Sequence, residues 1–162
     1  MKSNKLAIGG ISVALSLVIL YLTNIIPINT LAILTIASSV IPISLIKTDI
    51  KTSIMVYIVT SVCSFMFLPI TYSIMYIFLF GVYGIIKSFI ERLHNTPIEI
   101  ILKLVYFNII LIIGYFVLPS LLGNIKISLF IAFISSNIVF LIYDYALTIV
   151  ITYFITKFNK NK

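Results

Sequence analysis

Long charge-free apolar stretches, separated by short polar breaks, organise this chain. Leu6–Ile46 and Thr52–Ile86 run for 41 and 35 residues without a charged side chain, and neither shows the period-two alternation of a membrane barrel strand. About 20 residues suffice for one helix to cross a bilayer, so each stretch is predicted to fold back on itself as a helical hairpin. The turns fall at Asn24-Ile25-Ile26-Pro27-Ile28-Asn29 and at Leu68-Pro69-Ile70-Thr71, because a proline drives the residue before it out of helical geometry. Spans near 6–24, 29–46, 52–69 and 72–90 follow.

The polar connection Glu91-Arg92-Leu93-His94-Asn95-Thr96-Pro97 leads into a fifth span near 98–118, with Thr96 as its N-cap and Pro97 in its first turn. After Pro119 and the stretch Ser120-Leu121-Leu122-Gly123-Asn124 comes a last span near 127–156. That span exceeds what one crossing needs, which predicts tilt or extension beyond the bilayer. The fold expected is an all-α integral membrane protein, one domain over 1–162, built as an up-and-down bundle of six transmembrane helices. Helices satisfy their own backbone groups where lipid offers none.

Composition agrees: 62% hydrophobic and 9% charged residues with a mean hydropathy of +1.26 exclude an ordinary water-soluble core. Charge then orients the bundle. Threaded through six spans, Lys2, Lys5, Lys47, Lys51, Lys87, Arg92, Lys103, Lys157, Lys160 and Lys162 fall on one side and Lys126 alone on the other. Lys and Arg collect in short cytoplasmic loops, so both termini are predicted to be cytoplasmic, in a multi-pass protein of the cytoplasmic membrane. The +7 net charge sits at helix ends and forms no basic arm, which points to contacts with membrane lipids and not to nucleic acid. The apolar run after Lys2 and Lys5 has no small-residue cleavage site, so the first helix is expected to be retained.

Chemistry is sparse. Cys63 is the only cysteine, and His94 has no second ligand at metal-binding spacing. There is no Gly-rich phosphate loop, no HExxH, no GxSxG and no carboxylate pair within a span. The expectation is a protein that is not an enzyme and carries no metal or cofactor.

Three groups of residues stand out. Asp144 is the one acidic residue inside an apolar span, where an Asp costs roughly 2.5–3.5 kcal/mol at mid-membrane, so it requires compensation. Lys87, Lys103 and Asn108 are the candidates for an intramembrane polar network around it. The alternatives for Asp144 are an ion pair that fixes helix register, proton or cation coupling, a partner contact, or a neutral carboxyl. The Lys87/Glu91 and Glu99/Lys103 pairs have i,i+4 spacing and are expected at exposed helix ends. Gly10 and Ala14, four apart on one face of the first helix, form a small-xxx-small surface for internal packing or for a membrane partner. At the outward side, Asn29, Tyr72, Tyr76, Lys126 and Asn137 either anchor the interface or line a shallow pocket for a small, partly apolar ligand.

The stretch Lys5-Leu-Ala-Ile-Gly-Gly-Ile-Ser-Val-Ala-Leu, followed by Pro27 at the first outward turn, in a six-span chain of this length, resembles the substrate-binding S component of an energy-coupling-factor (ECF) vitamin transporter. The resemblance implies an outward pocket for a small nutrient and docking of helix one, at Gly10 and Ala14, on a coupling subunit that works with ATPases. Ile41-Pro42-Ile43-Ser44 departs from the glycine-rich middle of many S components. Phe80-Gly-Val-Tyr-Gly-Ile-Ile-Lys-Ser-Phe-Ile-Glu, with Glu99-Ile-Ile-Leu-Lys and Asn108, also looks like a set of small Firmicutes membrane proteins without an assigned activity. The function expected is a ligand-binding importer subunit. The alternatives are a structural or scaffold protein of the cell envelope and an ion-coupled carrier using Asp144.

Overall fold

The computed structural model describes residues 2–117 and 129–159. Among these the chain forms α1 (Lys2–Ile25), a 3-10 turn (Pro27–Asn29), α2 (Thr30–Lys47), α3 (Ile50–Phe67), α4 (Ile70–Met75), a π-helical segment (Tyr76–Gly81), α5 (Val82–Ile90), a second 3-10 turn (Glu91–Leu93), α6 (Thr96–Val117) and α7 (Leu129–Asn159). From α4 to Leu93 the chain is one continuous rod, so the described residues contain six helices long and apolar enough to cross a membrane. This is the makeup of a multi-pass membrane protein.

Local chemistry moves several helix ends from their expected places. α3 starts at Ile50 because Asp49 caps it: one carboxylate oxygen accepts the Thr52 backbone N–H at 3.0 Å and the Thr52 hydroxyl at 2.6 Å. It stops at Phe67 because Leu68, which precedes Pro69, is itself extended (φ −120°, ψ 153°). Thr96 is not the cap of α6. The Asn95 carbonyl accepts the Glu99 N–H at 3.0 Å, which places Thr96 inside the first turn. His94 takes a left-handed conformation (φ 52°) to close the preceding turn, with its Nδ1 at 2.7 Å from the Arg92 carbonyl.

α2 is the central helix. It packs against α1, α3, the π segment, α5 and α7, and Leu34, Ala37, Ser38, Ser39, Val40 and Ile41 are all buried. Pro42 lies within it and cannot donate to the Ser38 carbonyl. Gly84 of α5 comes up against this irregularity: a Cβ there would lie 3.1 Å from the Ser38 carbonyl oxygen and 3.0 Å from Pro42 Cδ. Ser38 also meets the Tyr143 hydroxyl at 3.2 Å. Ser38, Gly84 and Tyr143 therefore mark one level through α2, α5 and α7.

Distances along the axes from that level, at 1.5 Å per residue, show how the ends line up. Toward the charged end, the rod continues nine residues to Leu93 and α7 sixteen to Asn159, so α7 extends about 10 Å farther. In the other direction the rod and α7 each begin fourteen residues away, at Ile70 and Leu129, but α2 begins after only eight, at Thr30. It therefore starts about 9 Å short of them. At this uncharged end, Asn24 of α1 donates through Nδ2 to the Phe67 carbonyl at 2.8 Å, tying α1 to the last turn of α3.

Candidate functional site

The charged half of α5, α6 and α7 encloses a ring of four ionised side chains. Lys87 bridges Asp144 and Glu91, the latter at 2.8 Å; Lys103 bridges the same two carboxylates at 3.0 Å each. Two cations and two anions close a neutral quartet. Lys87 has 1% of its side chain exposed, Lys103 7%, Asp144 15% and Glu91 35%. Further donors complete the set: Tyr83 gives its hydroxyl to Asp144 Oδ1 at 2.5 Å, and Lys87 donates to Thr148 at 2.8 Å. With Asp144, Glu91 and Thr148, all three ammonium protons of Lys87 have acceptors.

Deleting a single member would strand a buried charge, which is why such networks resist change even when their net worth against an apolar core is small. The quartet also fixes rotation and depth. Lys87 projects from the rod, Lys103 from α6 and Asp144 from α7, and no sliding of one helix past another preserves all four contacts.

An aromatic layer lies between the quartet and the uncharged end. Tyr83 stacks on Tyr106 (centroids 5.7 Å apart) and meets Phe140 edge-on at 5.2 Å; Phe107 stacks on Phe140 at 4.4 Å, and Phe80 meets Tyr143 edge-on at 5.0 Å. The π segment sets this layer's position. Tyr57 of α3 and Tyr106 of α6 donate to the carbonyls of Ile77 and Phe78 at 3.1 and 3.0 Å, holding the widened turn from two neighbouring helices.

On the uncharged side of the layer, where α2 begins short, is a cavity of about 270 Å³. Phe80, Phe107, Phe140 and Tyr143 form its floor; Leu31, Thr35, Met75, Leu79, Ser135, Ser136 and Val139 form its walls. Thr35 donates to the Leu31 carbonyl, and Ser135 and Ser136 donate to that of Ala132. With each hydroxyl proton spent on its own helix, the walls present a largely apolar surface.

The residues singled out in the sequence divide. Asp144, Lys87 and Lys103 meet in the quartet. Asn108 instead pairs with Asn137 across α6 and α7 through reciprocal amide bonds of 3.1 and 3.2 Å. Of the set Asn29, Tyr72, Tyr76, Lys126 and Asn137, the four described residues are placed apart from the cavity: Asn29 is exposed, Tyr72 half-buried, and Tyr76 wholly buried in the helix core. Asn137 is engaged by Asn108, and Lys126 lies outside the described residues. None of the described four lines the cavity.

Gly10 and Ala14 are exposed on the outer face of α1, and a Cβ at Gly10 would meet nothing within 4 Å. The face of α1 that packs inward is that of Gly9, whose added Cβ would lie 3.0 Å from Thr52 Cγ2. The expected exposed helix-end pairs are corrected too. Lys87 is buried, and Lys103 turns from Glu99 toward Glu91 and Asp144.

Tyr83 and Glu91 are the members that sequence reasoning missed. Glu91 had a local explanation as the i,i+4 partner of Lys87, and Tyr83 is one of ten tyrosines in an aromatic-rich chain. The usable signal was the set Tyr83, Lys87, Glu91 at i, i+4, i+8: one helix face carrying a donor, a cation and an anion.

The chain matches no protein-family model, no curated protein and no solved structure.

Proposed function

We propose that this protein is a multi-pass subunit of the cytoplasmic membrane, with both termini cytoplasmic, that binds a small and largely apolar ligand from the external side in the manner of an ECF S component. The observation that carries the reading is the cavity at the uncharged end, with its aromatic floor gathered from the rod, α6 and α7. Its volume is near the lower limit of ligand sites, and its stacked rings suit a flat or branched apolar group. The orientation is supported by the described cations, which occupy the half of the bundle containing the N-terminus of α1 and the C-terminus of α7.

Gly10 and Ala14, uncovered on α1, provide the close-approach surface that a coupling subunit with ATPases would use. The quartet acts as a register pin beneath the aromatic floor. Asp144, with both carboxylate oxygens engaged, is better suited to that role than to ion coupling in a carrier.

The test is a mild-detergent pull-down of tagged protein, with mass spectrometry of co-purifying proteins and small molecules. Wild type is expected to recover ATPase and coupling subunits together with a small ligand. Gly10→Leu should lose the subunits, and Val139→Trp, which fills the cavity, should lose the ligand at unchanged expression. Recovery of envelope-assembly proteins in their place would establish the scaffold alternative.

A further inference from the structure

A second concavity, of about 320 Å³, lies at the other end of the molecule, outside the cavity and quartet. It is a groove between α1 and α2 that runs from Ile8 to Ile19 on the first helix and from Ile36 to Lys47 on the second, with Phe154 of α7 joining its lining. Eleven residues of rise on either wall give a length of about 16 Å. Below Ser44 the trough continues eight residues to Ile36, about 12 Å, most of one leaflet's hydrocarbon, which is half of the ~30 Å core of a bilayer.

Two polar features break its apolar lining at the charged end. Lys47 is the last residue of α2 and lies at the groove's mouth. One turn deeper, about 4.5 Å along the axis, is Ser44, 1% exposed, whose hydroxyl has no hydrogen-bond partner. The other serines of the lining, Ser12 and Ser39, donate to carbonyls of their own helices at 2.8 and 2.6 Å. A buried hydroxyl without a partner is a cost that a bound acceptor removes.

We propose that this groove holds one anionic phospholipid of the leaflet at the charged end. An acyl chain lies along the apolar trough, an ester carbonyl accepts from Ser44, and the phosphate faces Lys47. A phospholipid orders its polar groups in this way: the anion is outermost, the ester acceptor is about one helical turn deeper, and the hydrocarbon lies below. Nearby charge favours an anion, because Lys5, Lys47 and Lys51 outnumber Asp49 around the turn between α2 and α3. The inference needs the bundle to lie in a membrane but does not depend on what the outward cavity binds.

The experiment uses the full chain reconstituted into vesicles of mixed phosphatidylglycerol and phosphatidylcholine, released into detergent and weighed by native mass spectrometry. Wild type is expected to retain a single phosphatidylglycerol and to shed phosphatidylcholine. Lys47→Gln should weaken phosphatidylglycerol retention roughly fivefold, the effect of one basic residue near a membrane surface. Ile11→Trp should abolish it: Ile11 is 68% exposed on the groove's rim, so the indole fills the trough without entering the core. Melting temperatures of both variants in detergent should equal that of wild type once the lipid is removed. Equal retention of the two lipids, retention indifferent to Lys47→Gln, or a lipid-free protein recovered with another polypeptide in the groove would overturn the proposal.

Discussion

Lys5 and Asp49 meet at 2.9 Å with more than two-fifths of each side chain exposed, whereas Lys87 and Lys103 meet their carboxylates with almost none of either lysine exposed. The charges are the same kind; their surroundings decide what each arrangement does. In the outer pair, solvent screens the attraction, and Asp49 does most of its work through the two bonds that cap α3. In the quartet, neither lysine can be solvated if its partners leave, so neutrality is kept by geometry. The teaching is that an ion pair's structural force comes from the cost of breaking it, which burial raises and exposure cancels.

The largest expected effect tests this directly. Asp144→Ala leaves Lys87 and Lys103 sharing one carboxylate and should destabilise the bundle by about 3–5 kcal/mol, read as lowered unfolding midpoint in mild detergent. Replacing all four members together (Lys87→Met, Glu91→Gln, Lys103→Met, Asp144→Asn) should restore most of that loss, since neutral side chains of similar shape strand no charge. If the fourfold variant were as unstable as Asp144→Ala, the cost would reside in the lost hydrogen bonds and not in stranded charge, and the comparison would fail.

Tyr83→Phe comes next. It removes one donor to Asp144 while leaving both lysines in place, and should cost about 1.5 kcal/mol, at the lower edge for a hydrogen bond to a charged group.

The smallest effect belongs to the outer pair. The Asp49 carboxyl is held well below the usual carboxylate range, by the Thr52 hydroxyl first, then the Thr52 N–H, then Lys5. A depressed folded pKa means that its contribution to stability is whole above the unfolded value, about 3.9. The contribution is lost as pH falls from there through the folded value. Melting curves of wild type and Asp49→Asn should therefore differ by a constant amount at neutral pH and converge only in strong acid. In an NMR titration, Thr52→Val should raise the Asp49 pKa more than Lys5→Ala does; the reverse order would give the pair a weight that its exposure denies it.

Much of the backbone was legible because its determinants are local. Charge-free runs too long for one crossing, Pro69 at a break and the basic residues near helix ends all act within a few positions. The site was legible only in part. Asp144, Lys87 and Lys103 stood out because charge is rare in these helices. Glu91 and Tyr83 did not, because their roles depend on the rotation of the rod relative to α6 and α7. The cavity was hidden for a different reason: the polar residues near the uncharged end do not mark it, because its boundary is largely apolar and exists because α2 begins late. A helix's starting level relative to its neighbours is a tertiary quantity, and no window of sequence contains it.

The π-helical segment between Tyr76 and Gly81 also governs how the protein tolerates change in length. Each residue of an α-helix advances the chain by 100° and 1.5 Å. Excising one residue from this segment would let the rod regularise and keep every side chain chemically intact. Because a π turn holds its extra residue by turning less per residue, this excision would leave Tyr83, Gly84 and Lys87 facing the aromatic layer, the Ser38 crossing and Asp144, whereas one residue removed from regular helix would swing them by more than a quarter turn. The rod therefore carries a phase on which the alignment of both ends depends. A one-residue deletion is therefore mild within the widened turn and severe in the regular helix on either side of it.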